Sequence, residues 1–141
     1  ERGEKFYRET AKVISKAEVK ELFEKLADEE VAHKKIFRQM AQKIGAIKLE
    51  SAAREEFYDY LEAYTQNLIF SDANDETKIP AINDAKTALL YAIERELDSV
   101  LYYKEIKELI PASEHQLISG IIDEERRHVV RLSELKKNLT F

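Results

Sequence analysis

The chain has 141 residues, 36% of them charged, with three Gly, two Pro, no Cys and no Trp. One domain is the natural count at this length, and the missing thiols exclude disulfides and cysteine-ligated zinc, iron–sulfur or rubredoxin-type iron sites within these residues. The net charge is −5, so we expect no binding to nucleic acid. The sequence shows no apolar run near 20 residues and no secretory signal, so we expect a cytoplasmic protein that does not bind a membrane.

The scarcity of Gly and Pro leaves too few turn signals for a many-stranded sheet protein, so the chain is predicted to be all-α. Ser15 with Glu18 and Ser113 with Gln116 match the capping-box pattern at helix starts, and Asn83 can cap a further helix. The predicted helices are, in chain order, 1–14, 16–44, 50–70, 84–109 and 114–138.

The connections between these helices predict their arrangement. Tight turns join the first two bundle helices and the last two, which predicts two antiparallel hairpins. The connection 46–83, which contains the predicted helix 50–70, is long enough to cross the length of a bundle. We therefore predict one domain of residues 1–141, a ferritin-like antiparallel four-helix bundle with a long crossover. Globin-like or irregular helical packing is the alternative.

A repeat supports the two hairpins. Residues 22–33 align with residues 117–128 without gaps, and both segments contain Asp-Glu-Glu-x-x-His. Helical amphipathicity explains the matching apolar positions, but it does not explain two histidines at the same offset. We interpret the repeat as two related hairpins.

Polar residues interrupt the predicted inner faces of three bundle helices, each time in the middle. The second helix carries Glu30 and His33 there, the third carries Glu96, and the fourth carries Glu125 and His128. The rest of each face is apolar at spacings of three and four residues, which is typical of a stripe buried between helices. These five side chains are thus predicted to share one central layer.

Ionised carboxylates in such a layer need compensation. Leaving them unpaired would cost several kcal/mol each, and a whole domain is stable by only about 5–15 kcal/mol. No Lys or Arg occupies the central layer of these faces, whereas bound cations can compensate. Two Glu-x-x-His helices with one Glu from each of the other two form the ligand set of di-iron and di-manganese bundles. The predicted metal ligands are Glu30, His33, Glu96, Glu125 and His128.

The carboxylate from the first helix stays open. Glu96 precedes Tyr103 by seven residues, and the same spacing counted back from Tyr7 reaches the position before Glu1. The ligand is therefore Glu1, after a one-residue shift in register, or a residue that precedes Glu1 in a longer chain. Glu4 is a weaker substitute.

These motifs resemble the ferritin-like di-iron carboxylate superfamily, most closely its rubrerythrin-like branch. The matching segments lie on all four bundle helices, at residues 3–7, 26–33, 92–103 and 123–128. The resemblance implies a ferritin-like bundle with two iron ions, which Glu30 and Glu125 bridge or chelate. Glu96 and one histidine on each side would complete the site, with Tyr7 and Tyr103 close to it. Ser99 stands where the branch often has an additional Glu.

The resemblance also implies a function. This function is a non-haem di-iron oxidoreductase activity that reduces hydrogen peroxide or activates oxygen. The resemblance further implies a homodimer and, without a rubredoxin domain, an external carrier that supplies the electrons. Ligands of this kind suit iron or manganese, with zinc as an alternative. Two other functions are considered: a non-catalytic metal-binding or iron-handling protein, and a helical interaction domain whose polar core fixes helix register. Glu29 and Glu124, which neighbour the predicted ligands, are expected to face solvent; the alternative is that each replaces the neighbouring Glu as a ligand.

Overall fold

The computed structural model describes residues 2–45, 59, 63, 82 and 84–139, and these residues form helices without a strand. The bundle helices within these residues are α1 (Arg2–Val13), α2 (Ala17–Gly45), α3 (Ala85–Leu109) and α4 (His115–Asn138). Each begins and ends within one residue of its predicted range. The predicted helix 50–70 lies outside the described residues, apart from Asp59 and Ala63, which are helical.

The helices pack as the predicted four-helix bundle. α1 packs against α2 and α3 against α4, and the two hairpins meet through α2 and α4. The guanidinium of Arg8 donates to Asp28 at 2.9 Å and ties α1 to α2. No helix among the described residues combines the length and the apolarity needed to cross a membrane.

Two apolar clusters form the core, one on each side of a polar layer. The larger cluster joins all four helices and includes Phe23, Leu26, Leu89 and Leu132, which are fully buried. The smaller cluster consists of Val100, Ile110, Ile118, Ile121 and Ile122. Burial of these side chains supplies the main driving force for folding, so the polar layer is held in place from both sides.

Two helices illustrate how the sequence produces this layer. On α3, Ala92 belongs to the larger cluster and Val100 to the smaller one, and Glu96 lies between them. α4 runs in the opposite direction, and its Glu-x-x-His pair lies between Ile122 of the smaller cluster and Leu132 of the larger one. The apolar residues thus fix the depth at which the polar residues enter the core.

The starts of α3 and α4 differ from the predicted caps. Asp84 caps α3, and its carboxylate accepts a hydrogen bond from the backbone N of Thr87 at 2.8 Å; Asn83 lies outside the described residues. Ser113 lies in a 3-10 turn, Ala112–Glu114, and no side chain caps α4. The prediction for Ser113 was wrong because the chain after Pro111 first turns more tightly than an α-helix and delays the start of α4 to His115.

Candidate metal centre

All five predicted ligands lie together in the polar layer. Four of them are almost fully buried, with His33, Glu125 and His128 no more than 2% exposed and Glu96 3% exposed; the Glu30 side chain is 19% exposed. One ligand atom each from Glu30, Glu96, Glu125 and His128 lie within 4.8 Å of one another. Such a group of atoms can surround a cation.

The Glu125 carboxylate lies between the two histidines. Its Oε1 is 3.0 Å from Nδ1 of His33, and its Oε2 is 3.3 Å from Nδ1 of His128. The two imidazole rings are stacked, with centroids 5.5 Å apart and planes 19° apart. Both histidines therefore present the same nitrogen, Nδ1, to the carboxylate cluster.

The residues present fit a metal ion. The Nδ1 atoms of His33 and His128 and Oε2 of Glu125 are buried and have no hydrogen bond of acceptable geometry, although oxygen or nitrogen atoms lie close to each. Buried polar atoms without a hydrogen bond are rare in native proteins. Imidazole nitrogens and carboxylate oxygens are ligands of iron, manganese and zinc, and these atoms face one another across a short gap.

The other nitrogen of each histidine contacts a carboxylate on the opposite helix. Nε2 of His33 donates to Oε2 of Glu124 at 2.5 Å, and Nε2 of His128 lies 2.9 Å from Oε2 of Glu29. A carboxylate behind a ligating imidazole fixes its tautomer and raises its basicity. Both carboxylates remain partly exposed, as expected, but each also contacts a histidine of the other helix, which was not predicted. The sequence contains a signal for these contacts, because both repeats carry a Glu-Glu pair before the histidine. The first Glu of each pair contacts the histidine of the other repeat, and this can be recognised only when the arrangement of the two helices is known.

The two outer carboxylates are anchored differently. Arg131 donates from both terminal nitrogens to Glu29, from Nη1 at 3.1 Å and from Nη2 to the other oxygen. Glu124 pairs with Arg127 at 3.7 Å. This pair is the more exposed one, at 64% for Arg127 and 47% for Glu124 against 30% for Arg131 and 34% for Glu29. A bidentate, half-buried pair holds its geometry better than an exposed single contact. His128 thus has the firmer support.

Two tyrosines lie close to the cluster. The Tyr7 hydroxyl donates to Oε1 of Glu96, and its ring packs edge-on against Phe23 with centroids 5.1 Å apart. Burial, followed by the negative charges of Glu125 and Glu30, raises the pKa of Tyr103. Both phenols were expected beside the ligands, and both are held in the neutral form by their surroundings.

The ionisation of the layer reflects burial and close pairing. Burial lowers the pKa of both histidines, but the carboxylates around them outweigh it and raise the pKa to about 11 for His33 and to about 9 for His128. Burial, with the charge of Glu125, raises the pKa of Glu96 to about 8. Burial acts to raise the pKa of Glu125, but the two histidines outweigh it and hold that pKa well below its ordinary value. At neutral pH, protons thus balance the layer's charge where no metal is bound.

The first helix contributes no carboxylate to the cluster within the part of the chain that the structure describes. The Glu4 carboxylate pairs with Arg8 at 3.5 Å and is not among the clustered groups. Glu1 lies outside the described residues, so the choice between Glu1 and a preceding residue stays a prediction. Gly3 of α1 lies close to the Glu30 carboxylate.

Comparison with protein families gives one match, which agrees with this geometry. The family described as Rubrerythrin matches residues 1–84, more than half of the chain, and the match includes Glu30 and His33. Searches of curated proteins and of solved structures gave no match.

Proposed function

The chain belongs to the rubrerythrin family, and on this premise we propose that it is a non-haem di-iron oxidoreductase that reduces hydrogen peroxide. Activation of oxygen is the related possibility, and manganese or zinc are alternative metals. The observation that carries the proposal is the pair of buried Nδ1 atoms directed at a shared carboxylate. In a purely structural polar core, these nitrogen atoms would be expected to form hydrogen bonds. In a metal-binding layer, they remain free of hydrogen bonds and can bind a metal ion.

Three of the bundle helices would each supply a defined part of the ligand set. Glu30 and His33 of α2 would hold one ion, and Glu125 and His128 of α4 the other. Glu125 directs one oxygen towards each histidine, which supports the proposal that it would contribute to both sites. Glu96 of α3, whose Oε1 is 3.3 Å from Nδ1 of His128, adds a further oxygen on that side.

The chain's own residues would form the surroundings of the reaction and hold a proton close to it, and solvent would supply the remaining proton. Reduction of one H2O2 to two H2O takes two electrons and two protons, and a bound pair of iron ions would supply the electrons. The Tyr7 hydroxyl, which donates to Glu96 Oε1, holds a proton at the edge of the cluster in a place that bulk water does not reach. Glu30 is the most exposed ligand, so we propose that the oxidant approaches on its side.

The proposal includes the partners expected from the resemblance. An external electron carrier would restore the reduced centre after each turnover, and the protein would act as a homodimer in the cytoplasm. Both partners stay predictions, to be examined by reduction with purified carriers and by the mass of the assembly in solution.

A structural role for the layer is the second candidate. The observation that favours it is the raised pKa of His33 and His128, because protonated imidazoles balance two of the carboxylate charges without a metal. In that case the layer would only fix the register of the helices. A third possibility is a protein that binds metal in this layer but catalyses no reaction.

One experiment separates the three. The full chain is loaded anaerobically with Fe(II), its iron is counted, and hydrogen peroxide is added. We expect two iron ions per chain and the consumption of one peroxide per pair. Asp123→Asn, which changes an exposed carboxylate on α4, should behave like the wild type, whereas Glu125→Gln should lose iron.

The remaining outcomes each favour another function. Binding of iron that is indifferent to peroxide and oxygen would leave a metal-binding protein without turnover. Absence of binding in the wild type would leave the structural layer.

A further inference from the structure

Gly3 of α1 lies directly beside the Glu30 side chain. A Cβ atom on Gly3 would lie 2.7 Å from Oε2 of Glu30, 3.0 Å from its Cδ and 3.3 Å from its Cγ. Real Cβ atoms essentially never approach another heavy atom to less than 3.0 Å. Any other residue at position 3 therefore requires the Glu30 carboxylate to move.

Nothing in the backbone requires glycine at this position. Gly3 is helical, with no left-handed φ, and glycine is less favourable than alanine within a helix. The structure therefore explains glycine at this position by the space that the Glu30 carboxylate needs.

The displaced group would be the end of a flexible side chain. The Glu30 carboxylate can swing away without a shift of the backbone, so a larger residue at position 3 need not disturb the bundle. It would disturb the position of Glu30 relative to His33, whose Nδ1 is now 3.6 Å from Oε1 of Glu30. The effect is thus expected in metal binding and not in folding.

We propose that Gly3 is a positioning residue for the metal centre, because its missing side chain leaves the space in which the Glu30 carboxylate reaches the ligand layer. This inference rests on the proposed function, since it assumes that Glu30 is a ligand. Gly3 carries no ligand atom itself and acts only through the space that it leaves to Glu30.

The chain offers a matched control for the test. Gly120 lies on α4, is exposed, and has nothing within 4 Å of the position that a Cβ would take. The metal-free full chains of the wild type, Gly3→Ala and Gly120→Ala are titrated anaerobically with Mn(II) and are melted without metal. We expect Gly3→Ala to bind Mn(II) about 10- to 100-fold more weakly, the range seen when the support of a ligand is lost. Gly120→Ala should bind as the wild type does, and neither variant should melt at a lower temperature.

A double-mutant cycle tests whether the effect runs through Glu30. Glu30→Asp shortens the side chain and withdraws its carboxylate from the space beside Gly3. Adding Gly3→Ala to Glu30→Asp should therefore change affinity by less than about threefold, whereas in the wild-type background it changes affinity about 10- to 100-fold. Such a difference between the two backgrounds is the coupling expected of two residues in contact. An equal loss in both backgrounds, or wild-type affinity in Gly3→Ala, would overturn the inference. If Gly3→Ala fails to fold, the inference is also overturned, because the clash was relieved by the backbone. Failure of the wild type itself to bind Mn(II) and Fe(II) would instead refute the proposed function.

Discussion

His128 has a carboxylate on each side of its ring. Glu125 lies at Nδ1 and Glu29 at Nε2, and His33 has the same arrangement with Glu125 and Glu124. A ring held in this way has one tautomer and one orientation, which is what a rigid metal ligand needs. The two histidines differ in what lies behind the outer carboxylate, because Arg131 anchors Glu29 through two hydrogen bonds.

This difference predicts unequal effects of two arginine substitutions on α4. Arg131→Met removes the bidentate anchor of Glu29, so the support of His128 is lost and affinity for Mn(II) should fall about 10-fold, the lower end for such supports. Arg127→Met removes an exposed contact of 3.7 Å to Glu124 and should leave affinity unchanged, since exposed ion pairs contribute little. Titration of both metal-free variants measures the difference. If Arg131→Met bound Mn(II) as tightly as Arg127→Met does, the anchor of Glu29 would not be needed for metal binding.

The shared position of the five candidate ligands in one layer could be predicted from the sequence, because each of them can be recognised on the face of its own helix. Glu30 and His33 interrupt an apolar stripe, and so do Glu125 and His128 on the repeat. The structure brings them together as expected. The outer carboxylates were missed because their partners lie on another helix, and the role of Gly3 was missed because it depends on a distance between α1 and α2.

At the scale of the helices, the extent of each bundle helix was predictable and the residues that cap them were less so. A stripe of apolar residues over several turns averages out local exceptions, and all four bundle helices were placed to within one residue. A helix start depends on a few dihedral angles, and Ser113 shows the consequence: its capping-box pattern is present, but the turn after Pro111 places it before the helix.

The contrast between Asp84 and Ser113 gives a prediction for the stability of the helices. Asp84→Ala removes the acceptor for the backbone N of Thr87, and loss of such a cap lowers the free energy of unfolding by about 0.5–2 kcal/mol. Ser113→Ala should change it by less than about 0.5 kcal/mol, as exposed substitutions without a specific role do. Urea denaturation of the metal-free variants measures both values. A larger loss for Ser113→Ala would mean that this serine caps α4 in solution.

The cap of α3 also has a predictable dependence on pH. The hydrogen bonds from the backbone of Thr87 lower the pKa of Asp84 below its ordinary value. A carboxyl group with a lowered pKa in the folded state contributes its stability above the ordinary pKa and loses it as the pH falls through the folded one. The difference between Asp84→Ala and the wild type should therefore shrink in acid.

At the scale of the molecule, a charged layer separates two apolar clusters, and its charge must be balanced by protons or by metal. In the metal-free protein the protons are on the histidines and Glu96, as their raised pKa values show. A metal ion must displace protons from Nδ1 of His33 and of His128, so metal and protons compete for the same atoms. The state of this layer thus connects pH, metal binding and stability.

This competition predicts how the melting temperature depends on pH. A histidine with a raised pKa stabilises the fold below its ordinary value of 6.5 and loses that contribution as the pH rises through about 9 for His128 and about 11 for His33. Glu96, whose folded pKa is about 8, acts in the same direction, because the unfolded state loses its proton at lower pH. The metal-free protein should therefore become less stable from about pH 6 to about pH 8.5.

Metal binding should show the opposite dependence, since fewer protons must be displaced at higher pH. Mn(II) at a hundredfold excess over its Kd stabilises a protein by about 2.7 kcal/mol, which corresponds to a shift in melting temperature on the order of 10 °C for a chain of this size. At a fixed Mn(II) concentration, the gap in melting temperature between loaded and metal-free protein should widen from about pH 6 to about pH 8.5. Glu125→Gln, which keeps the volume of the side chain but removes the shared carboxylate, should show no gap at either pH. A gap that narrows with rising pH would contradict binding at the two Nδ1 atoms, because only ligands that must lose a proton produce the predicted direction.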